Sequence, residues 1–149
     1  MAKQIYKTME YISFHDMTIT GVVLQKQILT LAFDGVYCFL ENNKKKGVYV
    51  SSGEQNLVLV VRNVLNWHDW ENELQRTDDF SSLNGKTFLA LNVEETKVKL
   101  IYSIGEIDLE IEEMFAEICL ADLYWYRGLD ENERNSMTLP VSSLPVSFF

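Results

Sequence analysis

The chain has 149 residues and carries 22 Asp and Glu against 13 Lys and Arg, for a formal net charge of −9 at pH 7 and a pI near 4.7. That balance argues against a protein that neutralises nucleic-acid phosphates or docks on an anionic membrane, since both need a surplus of Lys and Arg on one face. A chain of about 150 residues forms one domain by default. Hydrophobic residues at 47% and aromatics at 12% furnish an ordered core, and seven Gly with two Pro leave little room for linkers.

The opening Met1-Ala2-Lys3-Gln4-Ile5-Tyr6-Lys7 has no apolar h-region or cleavage site, and no run reaches about 18 apolar residues. The expectation is a cytoplasmic protein. Cys38 and Cys119 sit in apolar strand-like contexts and read as reduced core thiols.

Period-two alternation and short β-branched or aromatic runs dominate the chain. Residues 18–24 read as a strand, Gln25-Lys26-Gln27 turns it into residues 28–33, and Asp34-Gly35 turns again into residues 36–40, so that three strands suggest a meander. Residues 41–47 are polar, contain a lysine triplet and end in Gly47, which predicts a solvated loop in preference to a phosphate site. The continuous apolar run over residues 56–62 predicts a strand buried on both faces. From Asn66, the spacing of Trp67, Trp70 and Leu74 at i, i+3 and i+7, with Asn66 as N-cap, predicts a short helix. Residues 77–85 read as a loop. A second β block over residues 86–93, 97–103 and 107–111 repeats the hairpin logic of the first. Residues 116–126 read as strand in preference to buried helix, and residues 129–149, with Pro140 and Pro145, as an extended or partly disordered tail. The fold class expected is α+β and β-rich: one domain over residues 1–128, an antiparallel curved sheet or sandwich with one short helix.

Both histidines precede an aspartate, as His15-Asp16 and His68-Asp69. Imidazole beside carboxylate is the makings of a metal site or an oriented general base. Adjacent residues on a strand point to opposite faces, however, and on a helix lie about 100° apart, so neither pair readily serves one ion. His15 or Asp16 is expected to hydrogen-bond a turn, and His68-Asp69 to face water on the first turn of the helix. No nucleophile motif or Gly-rich phosphate loop accompanies them. No catalytic residue, metal ligand or cofactor is assigned. An enzyme or small-ligand binder using His15 and His68 stands as the alternative, with His15 and Asp16 as a secondary site.

The most unusual stretch is Gly105-Glu106-Ile107-Asp108-Leu109-Glu110-Ile111-Glu112-Glu113. As a strand, it turns Glu106, Asp108, Glu110 and Glu112 to one face and Ile107, Leu109 and Ile111 to the other. Carboxylates about 7 Å apart repel by roughly 0.6 kcal/mol per pair in water, which is tolerable. Ten of the 22 acids fall within residues 106–133. Such a row either solvates a sheet face and blocks edge-to-edge aggregation, or docks a basic protein and fixes its register.

The segment from Phe14-His15-Asp16 into the strand over residues 18–24 and through Leu31-Ala32-Phe33-Asp34-Gly35-Val36 resembles a pattern in small bacterial domains, some grouped with immunity proteins of polymorphic toxin systems. What the resemblance implies is a cytoplasmic, non-catalytic, β-rich protein that neutralises a cognate toxin. The function expected is therefore protein binding, with Glu106, Asp108, Glu110 and Glu112 facing a basic partner. Nucleic acid and membranes are not expected as partners, and the oligomeric state stays open.

Overall fold

The computed structural model describes residues 3–6, 12–40, 43–51, 55–70, 80–119, 124–127 and 131–132. These form eleven strands in two antiparallel sheets. The strands are β1 (Lys3–Tyr6), β2 (Ile12–Ser13), β3 (Ile19–Gln25), β4 (Ile28–Phe33), β5 (Val36–Leu40), β6 (Asn43–Val50), β7 (Gln55–Asp69), β8 (Phe88–Glu94), β9 (Lys97–Tyr102), β10 (Gly105–Cys119) and β11 (Tyr124–Arg127). Helical structure among the described residues is confined to a 3-10 turn at Phe80–Leu83 and to residues 131–132. None is long and apolar enough to cross a membrane.

The larger sheet runs β3-β4-β7-β10-β9-β8, with β1 on the far part of β10. Its two end strands meet again through an antiparallel bridge between Thr18 and Thr87, so the sheet coils back on itself. The bonds at this junction come in matched pairs. Ile19 N–H donates to Lys86 O and Phe88 N–H to Met17 O, both at 2.9 Å, while Asp16 N–H donates to Phe88 O (2.8 Å) and Gly85 N–H to Ile19 O (2.7 Å). Asp34 N–H reaches Thr18 O as Ser103 N–H reaches Thr87 O, and Val61 N–H reaches Gln27 O as Ile111 N–H reaches Thr96 O. Left-handed backbone recurs at equivalent places, Asp16 with Gly85 and Lys26 with Glu95. These relations are those of a pseudo-two-fold axis through the Thr18–Thr87 bridge and the directly paired Val61 and Ile111. Hairpin β3–β4 plus β7 is thus repeated as hairpin β8–β9 plus β10.

Alternation explains the core. On β4 and β9 every second residue is buried, namely Leu29, Leu31 and Phe33 on one and Val98, Leu100 and Tyr102 on the other. The 15-residue strands β7 and β10 need irregularities to follow the coil, and Arg62 and Leu65 on β7 and Glu112 on β10 are passed over in the register. Burial on β10 switches parity there, from Ile107, Leu109 and Ile111 to Ala116 and Ile118. The start of β7 is buried on both faces from Gln55 through Leu59, as its continuous apolar run implies.

The smaller sheet, β11-β6-β5-β2, interrupts the first repeat. Where the second repeat passes from Tyr102 to Gly105 through two residues, the first inserts β5 and β6 between Phe33 and Gln55. Asp34-Gly35 therefore hands the chain to a second sheet, and the expected three-stranded meander stops after two strands. A Cβ at Gly35 would lie 2.8 Å from Val50 O and 3.1 Å from both Met17 Sδ and Tyr49 Oη, so only glycine admits this close approach. Ile12, Val36, Cys38, Val48 and Val50 join the large-sheet residues in one core, keyed by Phe14 stacked on Phe33 at 4.2 Å and Phe33 edge-on to Phe88 at 5.3 Å.

Two further expectations are corrected. The chain over Asn66–Asp69 continues β7 and is not a helix N-terminus, because pairing with Gly105–Asp108 on β10 satisfies its backbone and outweighs a helical spacing of three apolar residues. Residues 71–79, the rest of that segment, lie outside the described residues. Asn43–Lys46 belongs to β6 and is not a loop. Of residues 116–126, the described part is strand, in β10 and β11. The tail over 129–149 lies outside the described residues except for 131–132.

Candidate functional site

Strand register places the acidic row within a rigid patch. The outward face of β7, β10, β9 and β8 is built of cross-strand rows: His68, Glu106, Ile101 and Ala90; Asn66, Asp108, Lys99 and Asn92; and Asn63, Glu110, Lys97 and Glu94. Behind it Ile107, Leu109 and Ile111 are buried, so the backbone that carries the acids is fixed from beneath. Glu106, Asp108 and Glu110 are half-buried and Glu112 is exposed.

The row is not bare. Lys99 Nζ stands between two of the acids, 3.6 Å from Glu106 Oε1 and 3.8 Å from Asp108 Oδ1, and Arg62 Nε donates to Glu112 Oε1 at 3.1 Å. Arg62 and Glu112 are equivalent positions of the two repeats, so the pseudo-axis is spanned by an ion pair. Each of these partly exposed pairs is worth at most about 1 kcal/mol, and a stronger partner can take the carboxylates from them. Among the described residues, Lys97, Lys99 and Arg62 stand among the carboxylates Glu94, Glu106, Asp108, Glu110 and Glu112, and the exposed Glu113 follows on β10. A groove of about 680 Å³ opens at the tip of the β8–β9 hairpin, lined by Leu65, Val93, Lys97, Lys99 and Asp108 among others.

The equivalent face of the first repeat is different. Lys97, Lys99, Glu106, Asp108 and Glu110 correspond to Ile28, Thr30, Asn56, Val58 and Val60, none of them charged, and Asn56 and Val58 are buried. One backbone arrangement thus carries uncharged residues at these five positions of β4 and β7, with Glu113 and Glu117 of β10 beside them, and charged residues at the equivalent positions of β9 and β10.

The two histidine pairs go to separate places. His15 lies in the turn after β2, where Nδ1 donates to Leu89 O at 2.6 Å and Nε2 stands 3.2 Å from Asp16 Oδ2. Both side chains are well exposed, and the left-handed backbone at Asp16 is what lets neighbouring residues turn toward each other. His15 thus lies in a turn, while its ring bonds a strand carbonyl of β8 and not the turn itself. His68 is exposed on β7, beside Glu106. Strand β7 and strand β8, against which His15 is bonded, are separated in the sheet by β10 and β9. No group of three or more His, Cys, Asp or Glu able to hold a metal occurs among the described residues.

Asp69 departs most from expectation. It is not a solvated helix residue but is 3% exposed, and its Oδ2 accepts from Tyr102 Oη at 2.9 Å. Tyr102 Oη in turn accepts from Trp67 Nε1 at 2.9 Å, and Trp67 stacks on Phe80 at 5.1 Å. Burial holds the Tyr102 hydroxyl above the ordinary tyrosine range, opposed by the bond from Trp67 and reinforced by the Asp69 carboxylate. This network locks the end of β7 to β9 beneath the outward His68. A strand reading of Trp67-His68-Asp69-Trp70 would have shown Trp67 and Asp69 on one face and His68 and Trp70 on the other. Cys38 is a free, fully buried thiol, and desolvation pushes its ionisation far up. The side chain of Cys119 lies outside the described residues.

No family model, curated protein or solved structure matches this chain.

Proposed function

We propose that the chain is a non-enzymatic, cytoplasmic protein-binding domain of the immunity type, which holds a basic partner such as a toxin domain against the outward face of β7, β10, β9 and β8. The observation that carries this reading is the contrast between the repeats. The same strand geometry is built twice, once with uncharged residues at Ile28, Thr30, Asn56, Val58 and Val60, so the charges at Lys97, Lys99, Glu106, Asp108 and Glu110 are not demanded by the fold. Half-buried carboxylates fixed on a central strand lose little side-chain freedom on binding, and their field steers a cationic surface and sets its register.

The test is a pull-down from native lysate with the full chain at rising salt, beside a variant with Glu106, Asp108, Glu110 and Glu112 replaced by Ser. A specific basic protein that is lost with salt and lost in the variant supports the reading. Capture that is unchanged in the variant removes the acidic face from it.

A further inference from the structure

Trp70 is 61% exposed, whereas Trp67, three residues earlier, is 6% exposed. Strand alternation explains the difference: Trp67 and Asp69 point into the core, and Asn66, His68 and Trp70 continue the outward face. The Trp70 backbone is fixed by a 2.9 Å bond from its N–H to Ile104 O, and its ring meets His68 edge-on with centroids 6.2 Å apart. His68 is the direct cross-strand partner of Glu106. Close packing beneath keeps this corner rigid, since a Cβ at Gly105 would run into His68 O and lie 2.9 Å from Tyr102 Oη. A large, oriented aromatic therefore ends the acidic row.

We infer that Trp70 and Glu106 form the anchor of the docking face and receive an arginine side chain of the basic partner. The inference rests on the function proposed above and names the chemistry that the face selects. An indole face attracts a cation, and a carboxylate in the next row accepts the N–H groups at its edge. A guanidinium is planar and can stack and pair at once, whereas an ammonium acts as a point charge. Among the described residues Glu106 is held by Lys99 at 3.6 Å, an exchangeable contact. Tryptophan is also among the residues enriched at interface hot spots, where truncation costs far more than at the surrounding contacts.

The probes are the peptides acetyl-Gly-Arg-Gly-Arg-Gly-amide and its lysine counterpart, titrated at low salt into the full ¹⁵N-labelled chain. The Trp70 indole N–H resonance is assigned by its loss in Trp70→Phe. The expected result is a saturable shift of that resonance with the arginine peptide and roughly two- to five-fold weaker binding of the lysine peptide. Trp70→Ala and Glu106→Gln should each weaken the arginine peptide by a similar factor while the Trp67 indole resonance stays in place. A stationary Trp70 resonance, or equal binding of both peptides that is indifferent to Trp70→Ala, overturns the anchor. If the amides of Glu106, Asp108 and Glu110 still move in that case, the acidic docking face survives without it; if they too are still, both fail.

Discussion

Replacing Tyr102 by Phe removes one oxygen from a side chain that is 1% exposed and leaves the ring in place. That oxygen accepts from Trp67 Nε1 and donates to Asp69 Oδ2, each at 2.9 Å, so two buried groups each lose one hydrogen bond. A neutral buried bond is worth about 1 kcal/mol net and one to a charged group about 1.5–3 kcal/mol. The sum is about 2–4 kcal/mol, a large share of the stability of a domain this size, and corresponds to a fall in Tm of roughly 5–15 °C. The assay is urea unfolding of both proteins, followed by circular dichroism and by tryptophan fluorescence. Tyr102→Phe should lower the midpoint and leave the slope unchanged. A loss below about 0.5 kcal/mol would show that the Trp67–Tyr102–Asp69 bonds do not hold β7 to β9.

Gly105→Ala and Gly35→Ala should each destabilise by about 1–3 kcal/mol or more in urea melts, because the new methyl meets a backbone carbonyl, His68 O in one case and Val50 O in the other, and neither can swing aside. Gly21→Ala, where the nearest atom is Ala32 Cβ at 3.5 Å, should cost far less. For pH, Cys38 and Tyr102 both have raised folded-state values, so their contribution is complete below the unfolded values near 9.0 and 10.0 and is lost as pH rises above them. Each group adds a slope of up to about 1.4 kcal/mol per pH unit, and melts between pH 8 and 11 should show the decline beginning near 9 and flattening in Tyr102→Phe. In a Cys119→Ser background, thiol reagent at pH 8 should label Cys38 only at the rate of unfolding. Metal analysis of protein purified without chelators should find no stoichiometric metal; a bound ion lost in His15→Ala would favour the small-ligand reading instead.

Much of the fold is legible in the sequence where side-chain period and turn chemistry agree. Residues 28–33 alternate cleanly and are bounded by Lys26-Gln27 and Asp34-Gly35, and β4 occupies those positions. The alternation of Glu106 to Ile111 likewise reads out both faces of β10 before its irregularity at Glu112. The pseudo-two-fold is not legible, because Thr18 with Thr87 and Leu31 with Leu100 are the only identities between residues 14–33 and 83–102. What the repeats share is polarity pattern and hydrogen bonding, which leave no letter-by-letter trace. Asn66 to Trp70 fails for a related reason: three apolar residues fit a helical face locally, and only pairing with β10, some forty residues away, decides for strand. The candidate face was visible as an acidic row, while Lys99, Arg62, His68 and Trp70 come to it through register alone.

Binding of a basic protein to the charged outward face of β10 and its neighbours is read most directly from the affinity of the captured partner for the full chain across salt concentrations. Docking through this face should weaken steadily with salt and fall by at least ten-fold when Glu106, Asp108, Glu110 and Glu112 are replaced by Ser, with the urea midpoint nearly unchanged. Equal affinity of the variant at every salt concentration would contradict it.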